Sequence, residues 1–265
     1  MNFAFTEEQE ELRKTVRAFF ESKSAESAVR ELMETDDGFD QSVWEQAAQQ
    51  LGLHSLHIPE EYGGAGFGYV ELGIVLEEAG RALWTAPYFA SVVLAANTLL
   101  QSGDEAAKQE YLPGIASGET IATLALTEPS GKWDESGITL EATASGDGWA
   151  LNGTKSFVID GALASLILVA GRTSKGVSLF AVDGAADGIT KTRLATMDQT
   201  RKQAKLEFAG TPAKLIGEEG KGWDILSTVL DLVVVGLAAE QVGGAQFVLD
   251  QLAGSGRQVQ RGVEE

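Results

Sequence analysis

Apolar residues recur at helical intervals through the first 120 residues and at strand intervals after that. Leu12, Val16, Phe19 and Phe20 stand at i, i+4, i+7 and i+8, which is one stripe of a helix. Thr6 followed by Gln9 reads as the capping box that opens it. A second helix is predicted from a Ser cap at Ser42 to Leu51. The segment IPEEYGGAGFG, Ile58 to Gly68, holds four glycines and a proline and reads as a loop. Tyr69 to about Trp84 returns to helical period, with Leu72, Val75, Leu76, Ala79 and Leu83 on one face. Pro87 suits the first turn of a helix reaching Leu100, and Asp104 caps a short one ending near Leu112.

Beyond residue 120 the punctuation changes. Asp147-Gly148, Asn152-Gly153, Asp160-Gly161, Asp183-Gly184 and Asp187-Gly188 supply the positive φ angles that tight hairpins need. The runs among them, IATLAL, ITLEATA, WALNGTKSFVI, SLILVAG, GVSLFAV and KLEFAG, read as short strands of an antiparallel sheet or barrel. Trp223 to about Leu252 is helical again and free of proline. Gly236, Gly243 and Gly244 weaken that helix by about 1 kcal/mol each relative to Ala, so it is expected to pack closely on a partner. The predicted architecture is α+β and multi-domain. It has a helical domain at 1–120, an antiparallel β-barrel at 121–216 and the start of a helical bundle at 217–265.

Composition narrows the chemistry. A formal net charge of −19 argues against nucleic acid and against an anionic membrane surface. With no cysteine, disulfides, thiolate catalysis and cysteine metal sites are out. His54 and His57 alone make a poor zinc site, and they read as surface or hydrogen-bonded histidines. The start of the chain turns acidic at once, with no apolar leader segment, and the longest apolar run is the eight residues Leu232–Ala239. A cytoplasmic, non-membrane protein is expected.

Several stretches resemble the acyl-CoA dehydrogenase family, in the family's order. FTEEQEELRKTVRAFF resembles its opening helix, and Ile58–Ala82 its glycine loop and following helix. LTEPSG (Leu126–Gly131) resembles its flavin-contacting signature, and WALNGTKSFVID (Trp149–Asp160) the hairpin behind the flavin. EEGKGW (Glu218–Trp223) and LAAEQVGGAQFVLD (Leu237–Asp250) resemble the first helix of its C-terminal bundle. The resemblance implies FAD as cofactor and α,β-dehydrogenation of an acyl-CoA thioester in lipid metabolism. It also implies electron-transferring flavoprotein as electron acceptor, and a homo- or hetero-oligomer with another subunit of the family.

By that resemblance, Leu126 and Thr127 face the flavin, Phe157 takes the place of a stacking tryptophan, and Ile159 that of a flavin-contacting threonine. Trp133 stands at a ligand-contacting serine, beside the matching Asp134. Asp231 matches a family aspartate at the helix start, but Val234 stands where the family often has an arginine near the acyl pocket. Lys191, Arg193, Arg201 and Lys202 form a basic cluster suited either to CoA phosphates or to a solvated loop. No catalytic base is assigned. The family's glutamate usually lies in the rest of the bundle, Glu240 carries no warrant for the role, and beyond Asp250 only Val259, Gln260 and Gly262 echo the family. The expectation is a C-terminally truncated subunit that does not dehydrogenate unaided. A non-catalytic partner subunit, or an inactive fragment, is the alternative.

Overall fold

The computed structural model describes residues 4–261, with side chains to residue 253. Gly262 and the side chains of Val259 and Gln260 lie outside the described residues. Helix α1 (Glu7–Lys23) opens on the predicted capping box. The Thr6 hydroxyl accepts from the Gln9 N–H at 3.2 Å, and the Gln9 amide oxygen accepts from the Thr6 N–H at 3.0 Å. After α2 (Glu26–Glu34), α3 (Gln41–Gln49) starts one residue before Ser42, because Asp40 is the cap. Its carboxylate accepts from the Ser42 and Val43 N–H groups. Helix α4 (Tyr69–Ala82) stops at Leu83, which turns left-handed at φ 48°. The Pro87 segment forms a π-helical stretch, Phe89–Ala95, before α5 (Ala96–Gln101). Helix α6 (Glu105–Ala116) has the predicted Asp104 cap but runs past Pro113.

The strands run from Ala122 to Ile216: β1 (Ala122–Ala125), β2 (Glu141–Ser145), β3 (Gly148–Ile159), β4 (Leu166–Thr173), β5 (Gly176–Asp183), β6 (Ile189–Arg193) and β7 (Gln203–Ile216). They close as β2-β3-β7-β5-β4, with β1 on β4 and β6 on β7. The ladders are antiparallel except where β4 meets β1 and, through one bridge, β2. Polar ITKTR hid β6 from the sequence pattern. Asn152-Gly153 is not a hairpin turn. It lies inside β3 at a bulge, where the Asn152 side chain accepts from the Gly210 N–H at 2.8 Å.

Strands β4 and β5 are apolar throughout because both their faces are covered. One face, with Ile167, Val169, Phe180 and Val182, fills the barrel. The other, with Leu168, Ala170, Leu179 and Ala181, joins the helical core, where Phe89, Val93, Leu226 and Val229 also sit. Helix α7 (Gly222–Arg261) completes that layer against α4. The two helices touch backbone to backbone. A Cβ on Gly243 would stand 1.8 Å from the Glu77 carbonyl oxygen, and one on Gly80 2.1 Å from that of Glu240.

The glycines of α7 are therefore contact points. Gly243→Ala is expected to cost about 1–3 kcal/mol by forcing the helices apart. Gly73→Ala on α4, where a Cβ meets nothing within 4 Å, should be neutral or gain up to about 1 kcal/mol. Urea denaturation of both variants checks the pair, and equal shifts would refute the close-approach account. Helix α7 is also long and apolar enough to cross a membrane, with mean hydropathy 1.8 over its most apolar window, of which 22% is buried. Counting only the unbroken run Leu232–Ala239 overlooked this. Its contacts with α4 and the barrel are those of a helix in a protein layer, and Val234, Val235, Val242, Val248, Leu249 and Leu252 are exposed.

Candidate functional site

Strand β1 ends at Ala125, and the chain continues extended as Leu126-Thr127-Glu128 before Pro129 stops it. This ledge is tied to β3 at every residue. The Lys155 ammonium donates to the Leu126 carbonyl at 3.0 Å and to the Glu128 carboxylate at 2.8 Å. Between them the Ser156 N–H donates to the Thr127 carbonyl at 2.8 Å. Glu128 accepts further bonds from the N–H groups of Thr139 (2.9 Å) and Leu140 (2.8 Å) and from the Thr139 hydroxyl. Leu126 and Thr127 are half-buried, and the Thr127 hydroxyl has no hydrogen-bond partner among the described residues.

Opposite the ledge, the ladder of β3 slips between Lys155 and Val158. Phe157 sits in this bulge at φ 57°, a left-handed conformation costly for a bulky residue, and its side chain is 54% exposed. Regular alternation from the inward-facing Lys155 would turn Phe157 inward, and the bulge sends its ring outward instead. Ile159 is half-buried against the helical core, and its carbonyl accepts from the Thr123 hydroxyl at 2.6 Å. The structure thus gathers Leu126, Thr127, Phe157 and Ile159 on two adjoining segments.

Trp133 and Asp231 are placed differently. Trp133 is 64% exposed on the turn after Pro129. Its neighbour Asp134 accepts from the Ser136 N–H at 2.8 Å and so caps a short turn. Asp231 is exposed on α7, as is Val234. Among the described residues no hydrogen bond or ion pair joins Trp133 or Asp231 to the ledge.

The cations of the basic cluster are engaged within the chain. Lys191 donates to the Ala164 carbonyl at 2.7 Å, and Lys202 to the Met33 carbonyl at 2.6 Å. Arg193 pairs with Asp36 at 2.8 Å and Asp37 at 3.1 Å. Arg201 pairs with Glu240 at 2.7 Å and lies over the Phe89 ring at 4.8 Å. With 39 acidic residues against 20 basic ones, these cations find partners within the chain.

The residues that hold the site were missed in the sequence. Lys155 shares strand parity with the inward-facing Leu151, which is the signal that could have marked it as buried. Burial lowers the Lys155 ammonium to about 8 against the opposing pull of Glu128. Burial alone would raise Glu128, but the Lys155 charge and the bonds from Lys155, Thr139 and Leu140 hold it below its usual value. Asp160, at φ 52°, is pushed up to about 7 by burial, with Arg201 pulling the other way. The histidines are also a correction. His54 and His57 are buried, and among the described residues neither ring makes a well-formed hydrogen bond.

Residues 6–119 match the acyl-CoA dehydrogenase N-terminal domain, and residues 123–210 the acyl-CoA dehydrogenase middle domain. A mitochondrial isovaleryl-CoA dehydrogenase from Pongo abelii is 32% identical over 260 residues, covering 92% of this chain and 61% of the relative. The structure of a glutaryl-coenzyme A dehydrogenase with glutaryl-CoA superposes with a TM-score of 0.87 at 29% identity, over 94% of this chain and 66% of that one. The ChsE4–ChsE5 complex from Mycobacterium tuberculosis gives a TM-score of 0.85 at 30% identity, over 96% and 67%. The chain therefore spans about three-fifths of the length of the isovaleryl-CoA dehydrogenase.

Proposed function

Because this chain belongs to the acyl-CoA dehydrogenase family, we propose that it is a flavoprotein subunit that holds FAD against the Leu126–Thr127 ledge for α,β-dehydrogenation of an acyl-CoA thioester. The observation that carries this reading is the unpartnered Thr127 hydroxyl on a half-buried ledge beside the outward ring of Phe157. Those groups fit a flat heteroaromatic ring. The hydroxyl would bond its polar edge, Phe157 would stack on it, and Ile159 would add apolar contact where a hydroxyl would add a bond. FAD, which Leu126, Thr127, Phe157 and Ile159 would hold, would supply an acceptor for the hydride of the β carbon. Trp133 and Asp231 are the proposed contacts for the acyl-CoA, and electron-transferring flavoprotein is the proposed electron acceptor.

The α proton needs a base, worth about 10²- to 10⁴-fold in rate. Glu240 does not supply it. Both oxygens of its carboxylate are taken up by the Arg201 guanidinium, at 2.9 and 2.7 Å. The base is therefore proposed to lie outside these 265 residues, in the rest of the helical bundle or in a related subunit. The exposed valines and leucines of α7 favour a partner there. The same face supports the second reading, a non-catalytic subunit that completes the flavin site of a related dehydrogenase.

Titration with FAD, followed by flavin fluorescence, tests the proposal on the chain alone and with a related dehydrogenase subunit. Phe157→Ala and Thr127→Val should each weaken binding by about 1–2 kcal/mol, roughly 10-fold. Unaltered affinity in both variants would remove the ledge from the site. Binding that appears only with the partner selects the second reading.

A further inference from the structure

Lys155 and Glu128 form the one ion pair, among the described residues, in which both side chains are almost fully buried, at 0% and 5% exposure. A buried pair of this kind is weak evidence for stability, because apolar residues of similar volume often serve as well. Direction is what apolar residues cannot provide. The ammonium grips residues on both sides of Thr127, through the Leu126 carbonyl at 3.0 Å and the Glu128 carboxylate at 2.8 Å. The next residue of β3, Ser156, holds the Thr127 carbonyl at 2.8 Å, and the one after is the bulged Phe157. Three consecutive residues of β3 thus set the ledge and the ring opposite it. The β2 side locks the same carboxylate through the Thr139 and Leu140 N–H groups.

We infer that Lys155 is a positioning residue. Acting through Leu126 and Glu128, it fixes the direction of the Thr127 hydroxyl relative to the Phe157 ring. Its bearing on flavin binding rests on the proposed FAD site, but the geometric claim stands apart from it.

The test is the neutral double variant Lys155→Met with Glu128→Gln, which leaves no unpaired charge and keeps an acceptor for the Thr139 and Leu140 N–H groups. Circular dichroism and the melting midpoint are expected to stay close to those of the parent chain. Amide hydrogen exchange should rise about 10-fold or more at Ser156, while the other barrel amides keep their protection. FAD affinity should fall about 10-fold, with a shifted flavin absorption band. A folded double variant with parental exchange at Ser156 would overturn the inference, whatever the flavin does. If the parent chain binds no FAD, alone or with a partner, the flavin site fails, and the exchange measurement still decides the positioning role. Should the double variant not fold, Glu128→Gln alone carries the measurement. About 3-fold faster exchange at Ser156 is then expected, and no change refutes the role.

Discussion

Glu128→Ala should destabilise the chain by about 3–5 kcal/mol, because it strands a buried ammonium. Lys155 would keep only the Leu126 carbonyl as partner. Lys155→Met should cost less, since Glu128 would retain the Thr139 and Leu140 N–H groups and the Thr139 hydroxyl. The pH dependence identifies the cause. Burial already lowers Lys155 to about 8, and Glu128 is the group that opposes the fall. Without Glu128 the folded value drops further, while the unfolded value stays near the ordinary 10.5. Between those values the unfolded chain binds one more proton, so the stability of the variant must rise with pH across that window. Urea denaturation at pH 6, 7.5 and 9 reads this. A Glu128→Ala variant as stable as its parent, or one that weakens from pH 7.5 to 9, would refute the account.

Acidification should destabilise the helical domain well above the ordinary range of carboxylates. His54 lies edge-on to Trp44 at 4.0 Å and to Tyr88 at 5.4 Å, and His57 packs against Tyr69 at 5.8 Å. Burial lowers His54 from 6.5 to about 3, and His57 from 6.5 to about 4, where Asn97 pulls slightly the other way. Both are depressed, so their contribution is complete above pH 6.5 and is lost as pH falls toward 4. Each loses about 1.4 kcal/mol per pH unit, the cost of charging a ring in water that must stay neutral in the fold. Asp160, raised from 3.8 to about 7, works against them, because its folded form holds the extra proton in that window. Glu240 adds to the opposition. The net loss between pH 6.5 and 4.5 is therefore about 1 kcal/mol per unit, against a total of about 5–15 kcal/mol for a domain. With both histidines changed to leucine, the slope should flatten or reverse. Denaturation midpoints from pH 7 to 4.5 measure it, and an unchanged acid slope in the double variant would exclude the histidines.

What the sequence determined by itself is local. The capping box at Thr6, the Asp104 cap, the runs that became β1 to β5 and β7 and the glycines of α7 each state their structure within a few neighbours, because period, caps and turn residues act over one or two turns of chain. The family motifs likewise located the ledge and Phe157 in the chain. Tertiary structure decided the rest. Lys155 has no partner in sight along the sequence until the barrel closes over it and Glu128. Arg193, Arg201, Lys191 and Lys202 read as a free basic patch until Asp36, Asp37, Glu240 and two carbonyls are folded against them. Asn152-Gly153 reads as a hairpin until pairing with β7 keeps it within β3, opposite a bulge at Gly210, and His54 as an ordinary histidine until Trp44 and Tyr88 enclose it. In each case the outcome depends on the partner that long-range packing delivers. Burial and charge pairing are properties of that assembled surrounding, and no short stretch of chain contains them.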